Sequence, residues 1–472
     1  MSTPPTTTTG GTGLARNRLG VFAIAALVIS AVAPISVMAA GVPVIFAVTG
    51  PSVPAVFIIA GILYALFTVG YVAMSRHMVN AGGFVAYIDR AFGKRAATAM
   101  SYVTLLFYFA SIVAFYAISG AVAAITLGPE NPQIPLVTFA FLVVVAVLGL
   151  LGVSLNARLL IILLAVETVS LLVLDVALLV QGGPEGYSLA GFAPQAIFGA
   201  GFGIALLLAM VCFSGLEATV VFSEEAKEPR RTIPRAVYFA LAFVIVLYAL
   251  SSWLLSIKVG PSLSLIPPEE IGSFFFVVAG SALGEGFATY LGYLVILSFL
   301  ALFIGFQSLI TRYVFALGRA GVLPKGLGRT NSKGNPIVAS LIVSIIIAIV
   351  LGAFTFTGQD PFTVTYAWLV GLGTVGLILS LCVVSIGIIV FFARTKLEKN
   401  PWTTVIAPAL AALGLIAVLV LAINNYTILG NATEDAKLLL IAIPVMFVLG
   451  WIVAEIRIRS GRGIDYSADL GG

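Results

Sequence analysis

Three acidic residues, Glu167, Asp175 and Glu217, lie inside long runs of apolar residues. Ionisable side chains are costly in the interior of a membrane, and where they occur they commonly bind an ion, carry a proton or pair with another polar group. We interpret Glu167, near the middle of its run, as a carrier of a coupling proton or a group that helps to hold a cation. A buried carboxylate that bonds a neighbouring hydroxyl group is the alternative. Asp175 lies nearer the end of the same run, and we expect its carboxylate to reach the membrane interface.

Helix-breaking residues occur in the middle of two apolar runs. Pro34 lies within Ser30–Ser36, and Gly215 lies within Cys212–Glu217. Proline lacks the N–H group that a helix needs and clashes with the preceding turn, and glycine forms helices weakly. An interrupted membrane helix exposes backbone N–H and C=O groups and the ends of half-helix dipoles, which can bind a small charged solute. The alternative is that Pro34 and Gly215 only kink packed helices.

The second break carries further candidate residues. Glu217 follows Gly215 by two positions. Two compatible roles fit Glu217: a gating or proton-sensing carboxylate that links the sixth apolar run to the first, or an acceptor that fixes the unwound backbone. Phe213, beside the break, is a candidate hydrophobic gate, and Tyr108, in the third apolar run, is a candidate for the wall of a binding cavity.

Residues for enzyme chemistry are scarce. The chain has one histidine, His77, which lies in a predicted loop, and two cysteines, Cys212 and Cys382, which lie in apolar runs. This pattern excludes a Ser-His-Asp set and supports neither a disulfide framework nor a cysteine-based zinc site. We therefore expect a protein that is not an enzyme and needs no cofactor or metal.

The composition sets the class of protein that must position these residues. Of 472 residues, 61% are hydrophobic and 9% are charged, with a mean hydropathy of +1.16. A soluble domain has about 25% charged residues, so the chain is predicted to be an integral membrane protein in contact with the lipid bilayer. The net charge of +5 does not indicate nucleic-acid binding, because the basic residues lie in short loops between apolar runs.

A bilayer core needs about 20 apolar residues per helix, and this length predicts twelve transmembrane helices. All but two of the 24 lysines and arginines, Lys258 and Lys437, lie in loops on one side. The positive-inside rule therefore places both termini in the cytoplasm. We expect the protein to lie in the plasma or inner membrane of the cell. The predicted spans are about 20–48, 53–75, 97–127, 134–152, 157–181, 199–223, 235–257, 286–317, 336–356, 363–393, 402–423 and 437–456.

The two broken spans are the first and the sixth, which are five spans apart in the chain. Interrupted helices at matching places in two halves are typical of inverted-repeat transporters. We therefore predict an all-α membrane fold with a five-plus-five inverted repeat, broken helices 1 and 6, and two additional C-terminal helices. The predicted regions are a disordered cytoplasmic tail 1–19, a first repeat 20–181, a second repeat 199–393, two further helices 402–456, and a cytoplasmic tail 457–472.

Three stretches of the sequence carry a resemblance to a known family. They are FSGLE at 213–217 followed by EEAKEPRRTIPRA at 224–236, NAGGFVAY at 80–87 followed by AFG at 91–93, and TRY at 311–313 followed by GVLP at 321–324 and NP at 335–336. In these motifs the chain resembles the amino acid–polyamine–organocation superfamily of permeases, of the bacterial amino acid permease type. The likeness covers about residues 20–393.

The resemblance implies a transporter of amino acids, polyamines or related amines that works by alternating access. In such proteins the substrate carboxylate meets backbone N–H groups at the break in span 1, and its amino group meets carbonyl groups at the break in span 6. Glu217 then lies just cytoplasmic of the site. When these positions are carried over to this chain, the resemblance implies the binding residues Ala33, Pro34, Ile35, Ser36, Val211, Cys212, Phe213 and Ser214. We add the neighbouring Gly215 to this set.

Several alternatives stay open from the sequence. The predicted substrate is a small molecule, and the few charges near the breaks favour a neutral or small amino acid. Proton-coupled symport or exchange is predicted, with Glu167 as a candidate proton carrier and with sodium as the alternative ion. A transporter-like sensor that binds but moves little is a further alternative. A channel is disfavoured, because no symmetric ring of pore-lining residues is visible.

Overall fold

The structure, a computed structural model, describes residues 14, 17–78, 82–128, 134–151, 153–199, 201–260, 270–359, 361–424, 426, 434–461 and 463–466. Most of the predicted tail 1–19, Asn80 and Ala81 of the second family motif, and residues 467–472 of the predicted C-terminal tail lie outside these ranges. Regular structure in the described residues is helical. The one strand-like pairing among them is a parallel bridge between Leu19 and Ala226.

The first half of the described chain contains ten α-helices. Three shorter segments of other type belong to this half: a π-helical segment at Val37–Gly41 and 3₁₀ turns at Gly50–Ser52 and Ala190–Phe192. The α-helices are α1 (Val21–Val32), α2 (Pro34–Ser36), α3 (Val42–Thr49), α4 (Val53–Ser75), α5 (Phe84–Phe92), α6 (Lys94–Leu127), α7 (Ile134–Leu151), α8 (Val153–Gln181), α9 (Pro194–Ile197) and α10 (Phe202–Cys212).

The second half contains seven α-helices. They are α11 (Pro229–Val259), α12 (Phe274–Leu283), α13 (Glu285–Arg319), α14 (Ile337–Phe356), α15 (Ala367–Thr395), α16 (Ala407–Asn424) and α17 (Ala442–Arg459). Two π-helical segments precede α15 and α16, and three 3₁₀ segments complete the order. The π-helical segments are Pro361–Tyr366 and Trp402–Ile406, and the 3₁₀ segments are Leu216–Phe222, Lys325–Gly328 and Glu434–Ile441.

Ten helical stretches of the described chain are long and apolar enough to cross a bilayer. A membrane favours this architecture, because helices satisfy their backbone hydrogen bonds internally. The prediction of an all-helical, multi-pass membrane protein is confirmed. The stretches are Val21–Ser75, Lys94–Leu127, Ala157–Gln181, Phe202–Phe222, Pro229–Val259, Glu285–Arg319, Ile337–Phe356, Val364–Thr395, Trp402–Asn424 and Lys437–Arg459, with Leu136–Leu151 and Phe274–Leu283 as shorter apolar helices.

The helices form a bundle with α1 near its centre. This helix packs against α8, α11 and α13, while α6 packs against α13, α15 and α17, and α4 packs against α11 and α16. Outer helices expose apolar side chains, including Val147 on α7, Ile349 on α14 and Leu413 on α16, each more than half exposed. Such an apolar exterior fits contact with lipid.

In the described residues, three short helices lie between the predicted spans and were not predicted: α5, α9 and α12. The sequence between the predicted seventh and eighth spans, at 258–285, contains α12, which is only ten residues long. Such a helix is too short to cross a bilayer, so a search for spans does not detect it. In the structure, Phe274 of α12 packs against Phe46 of α3, with ring centroids 5.7 Å apart. This helix therefore covers the second half of the first span.

The close packing of α13 on α1 depends on Gly305. A Cβ atom at this position would lie 3.0 Å from the Cβ and backbone nitrogen of Ala31 and from the carbonyl oxygen of Leu27. We expect Gly305→Ala to reduce the free energy of unfolding by about 1–3 kcal/mol, because the backbone of α1 must move to admit the methyl group. Thermal unfolding in detergent measures this effect.

Gly286→Ala on the same helix is the matched control. A Cβ atom at Gly286 would have no other atom within 4 Å, so the substitution should leave the unfolding midpoint unchanged or raise it slightly. Equal midpoints for the two variants would contradict the packing described for α1 and α13.

Candidate functional site

The first membrane span is interrupted at Ala33. Helix α1 ends at Val32, and Ala33 has φ 51° and ψ 72°, a left-handed conformation that costs a non-glycine residue roughly 1–2 kcal/mol. Its N–H group still donates to the carbonyl oxygens of Ile29 at 3.0 Å and Ser30 at 3.1 Å. Pro34 then begins α2. The first N–H groups of a helix have no acceptor within the helix, so the break leaves the N–H groups of Ile35 and Ser36 for other partners.

The sixth predicted span is interrupted at Gly215. Helix α10 ends at Cys212, a turn follows, and a short 3₁₀ helix begins at Leu216. Gly215 has φ 110°, a backbone conformation that side chains other than hydrogen rarely adopt. A Cβ atom at Gly215 would lie 3.2 Å from the Cβ of Ala31, so the two interrupted spans are in close contact.

A cavity of about 60 Å³ lies between the two breaks. Its polar side is formed by Ala33 and Ser36 from the first break and by Cys212 and Ser214 from the second. The π-helical segment Val37–Gly41 continues this side of the wall. Segments of this type are frequent at functional sites, because they displace backbone groups from the regular helical pattern.

Half of the ten predicted binding residues line this cavity: Ala33, Ser36, Val211, Cys212 and Ser214. Their place in the wall does not show that they bind a substrate, and this role stays a prediction. The other predicted binding residues, which do not line the cavity, are Pro34, Ile35, Phe213, Gly215 and Tyr108.

Phe213 is fully buried in a cluster of aromatic rings. Its ring stacks on Tyr64 with centroids 5.3 Å apart and meets Tyr248 edge-on at 5.8 Å. Phe57 lies 6.3 Å away on the same side. In this structure Phe213 therefore anchors the second break to α4 and α11 and does not face the cavity.

Glu217 holds the second break together. Its Oε2 accepts a hydrogen bond from the Gly215 N–H at 2.8 Å, and its Oε1 accepts one from the Tyr108 hydroxyl at 3.3 Å. The Tyr71 hydroxyl donates to the Glu217 carbonyl oxygen at 2.5 Å. These bonds tie the unwound backbone to α4 and α6. They correspond to the structural role considered for Glu217, and its gating role stays a prediction.

Glu167 lies behind the first break. The carboxylate is 2% exposed and lies beside the backbone N–H of Ile35 and the side chain of Ser298. Among the described residues, neither Glu167 Oε2 nor Ser298 Oγ has a hydrogen-bond partner within good geometry. A buried carboxylate of this kind is costly when ionised, which suits a group that takes up a proton or a cation.

Asp175, on the same helix as Glu167, is placed differently from the expectation. Its side chain is buried rather than at an interface, and the Ser251 hydroxyl of α11 donates to its Oδ2 at 2.7 Å. The expectation of an interfacial carboxylate is wrong, because sequence position cannot show that a hydroxyl group on another helix meets this side chain.

Buried ion pairs hold the loop that follows the second break. The Arg312 guanidinium of α13 donates to both carboxylate oxygens of Glu225, and it lies 4.8 Å from the centroid of the Phe222 ring. Arg319 donates to Glu224 in the same way, with one contact at 2.9 Å. The N–H groups of Arg18 and Leu19 donate to the Glu225 carbonyl oxygen at 2.9 and 3.0 Å. The start of the first span and the end of the sixth are thus joined to α13.

Sequence reasoning missed the apolar side of the cavity. This side is formed by Phe115 and Ile118 of α6 and by Phe299 and Leu302 of α13, with Tyr366 at the end of a π-helical segment. Each helical pair has i, i+3 spacing, which places both members on one face. Most buried helix faces share that spacing, so the pattern alone could not distinguish a cavity wall from ordinary packing.

Comparison with known proteins gives consistent matches. A family model described as "Amino acid permease" matches residues 19–452. The branched-chain amino acid permease BcaP of Lactococcus lactis subsp. cremoris (strain MG1363) is 24% identical over 398 residues, which cover 78% of this chain and 80% of BcaP.

Two further relatives are more distant or less completely aligned. The amino-acid permease RocE of Bacillus subtilis (strain 168) is 24% identical over 60% of this chain and 61% of its own. The aromatic amino acid transport protein AroP of Escherichia coli (strain K12) is 27% identical over 36% of this chain and 37% of its own.

The bonds of Glu217 predict a loss of stability when its carboxylate is removed. In Glu217→Ala the Gly215 N–H and the Tyr108 hydroxyl lose their acceptor while still buried, so we expect the free energy of unfolding to fall by about 1–3 kcal/mol. Tyr108→Phe removes only the longer bond and should have a smaller effect. Thermal unfolding of both variants in detergent tests this order, and a Tyr108→Phe loss as large as that of Glu217→Ala would contradict it.

Proposed function

The chain belongs to the amino acid permease family, and from this premise we propose that it is a secondary transporter that moves an amino acid or a related amine across a cell membrane by alternating access. The observation that carries the proposal is the cavity between two interrupted helices, lined by Ala33 and Ser36 on one side and by Cys212 and Ser214 on the other. A sensor with the same fold would bind the same solute without moving it.

We propose twelve spans for the transporter. The stretch Val21–Ser75 is interrupted at Ala33 and turns again at Gly50, where φ is 61°, so it is long enough to supply two spans. Leu136–Leu151 supplies another. In this proposal 20–181 and 199–393 are inverted repeats, the last two spans stand outside them, and both termini are cytoplasmic.

The proposed substrate position follows from the two half-helix ends. The first N–H groups of α2 have no acceptor within the helix, and this end carries a partial positive charge, so it suits the substrate carboxylate. The C-terminus of α10 carries carbonyl groups and the negative end of a dipole, so it suits the ammonium group. A zwitterion that spans the gap between Ser36 and Cys212 would satisfy both ends at once.

Glu167 is the proposed coupling site. Its carboxylate lies beside the Ile35 N–H at the start of α2, the same helix end that we assign to the substrate carboxylate. Protonation of Glu167 would remove a negative charge from behind this helix end, and would thereby favour a substrate carboxylate on its other side. This arrangement links proton binding to substrate binding, and sodium bound at Glu167 is the alternative.

The ion pairs at the foot of α13 support a proposed inner gate. Opening towards the cytoplasm requires the loop after the second break to move away from α13, and Arg312 and Arg319 hold it there through Glu225 and Glu224. A buried ion pair that is separated without new partners is costly, so water must enter as the pairs open. The proposed gate therefore opens only when the cytoplasmic path is hydrated.

Transport itself is tested with the purified protein in proteoliposomes. We expect uptake of at least one radiolabelled amino acid from a panel of the twenty standard ones, and counterflow when the same amino acid is loaded inside. Binding without counterflow for every member of the panel would favour the sensor, and the absence of both binding and uptake would contradict the proposal.

Glu167→Gln tests the coupling site. We expect uptake driven by an inside-alkaline pH gradient to fall at least tenfold while counterflow without a gradient persists, because the neutral amide keeps the size of the side chain but cannot exchange a proton. Asp175→Asn on the same helix is the matched control and should keep its response to the pH gradient. Full pH-driven uptake by Glu167→Gln would show that Glu167 does not carry the proton, and uptake that responds to sodium alone would favour the sodium alternative.

A further inference from the structure

The described part of the cavity wall has no ionisable acid or base of the kind that a charged substrate side chain would need. Its fifteen described lining residues include no aspartate, glutamate, lysine, arginine or histidine. Glu217 and Glu167 do not line the cavity: Glu217 accepts bonds from Gly215 and Tyr108, and Glu167 lies beside Ile35. A lysine-like or glutamate-like side chain would therefore be buried here as an unpaired charge, which is strongly unfavourable.

Part of the cavity wall is apolar. This part is formed by Phe115 and Ile118 from α6 and by Phe299 and Leu302 from α13. Their side chains carry no hydrogen-bonding atom. An amide or hydroxyl group on a substrate side chain that reached this wall would lose its hydrogen bonds to water and gain none, so the wall favours hydrocarbon.

The same wall is supported by rings behind it. Phe115 meets Phe306 edge-on, with centroids 5.5 Å apart, and Phe299 stacks on Phe303 at 6.1 Å. Phe303 is in turn stacked on Tyr116 at 3.7 Å. Close-packed side chains of this kind resist displacement, so the apolar side cannot retreat to admit a much larger group.

The cavity is small, with a volume of about 60 Å³. A short, branched hydrocarbon side chain fits such a space more easily than an aromatic ring does. A phenyl or indole ring would need the supported wall to move.

We infer that the substrate is a neutral amino acid with a compact aliphatic side chain, and that Phe115, Ile118, Phe299 and Leu302 set this specificity. The inference rests on the proposed transport function and deepens it. Family membership does not decide the point, because relatives carry names for branched-chain and for aromatic amino acids. All amino acids share the zwitterionic head group that the backbone of the protein is proposed to bind. Selection between amino acids therefore depends on the apolar wall.

Cys212 offers a direct reporter of occupancy. Its sulfur lies in the cavity wall, and the chain has only one other cysteine, Cys382, which lies on α15 and does not line the cavity. In a Cys382→Ala background, alkylation of Cys212 by a small maleimide should be slowed by valine, isoleucine or leucine. We expect protection by lysine, glutamate or phenylalanine to require at least about tenfold higher concentrations, in line with the discrimination typical of an apolar pocket.

Enlarging the wall should change the preference. Phe299→Ala removes a ring from the apolar side, so we expect the ratio of phenylalanine to valine affinity to rise at least tenfold in the same assay. Leu297→Ala, an exposed position on the same helix, is the matched control and should keep the original ratio. Phe299→Leu is a milder variant that should shift the ratio in the same direction if Phe299→Ala does not fold.

The outcomes separate this inference from the proposed function. Best protection by an aliphatic amino acid supports both. Best protection by a charged or an aromatic amino acid, or a phenylalanine-to-valine ratio unchanged in both Phe299 variants, overturns the inference and leaves transport of amino acids standing. Failure of all twenty amino acids to protect Cys212, together with no uptake, overturns the proposed function itself.

Discussion

Backbone N–H and C=O groups that lack a partner inside a membrane are the constraint on which this structure depends. Each such group is costly in hydrocarbon, so a chain that breaks two long apolar helices must provide other partners for them. Here the breaks at Ala33 and Gly215 lie against each other and enclose a cavity. The polar groups exposed by one break are therefore not left to lipid, and the zwitterionic substrate that we propose would supply the charges that their half-helix dipoles favour.

The acidic side chains around the two breaks have different roles. Glu217 accepts the Gly215 N–H and is itself held by α6, so the second break keeps a defined shape without a ligand. Glu167 lies beside the Ile35 N–H group at the first break and does not line the cavity. One carboxylate thus stabilises the backbone, whereas the other is our proposed coupling site. The ion pairs of Glu224 and Glu225 with α13 connect this centre to the loop beyond it.

Much of this arrangement could be predicted from the sequence, for physical reasons that differ between residues. Pro34 and Gly215 indicate breaks because of their own backbone chemistry, and the apolar runs indicate spans because of the thickness of a bilayer. The residue that adopts the left-handed conformation is Ala33, which carries no such local signal. The partner of Asp175 on α11 also depends on tertiary packing, which one sequence does not reveal. The apolar wall of the cavity could not be predicted from the sequence for the same reason.

The central claim is that the two interrupted helices bind the main-chain groups of an amino acid. The most direct measurement is a cryo-electron microscopy structure of the protein in a lipid nanodisc with saturating substrate. We predict a carboxylate within hydrogen-bond distance of the Ser36 N–H group and an ammonium group against the carbonyls at the end of α10. Substrate density outside the cavity, or either span wound as one continuous helix through Ala33 or Gly215, would contradict this claim.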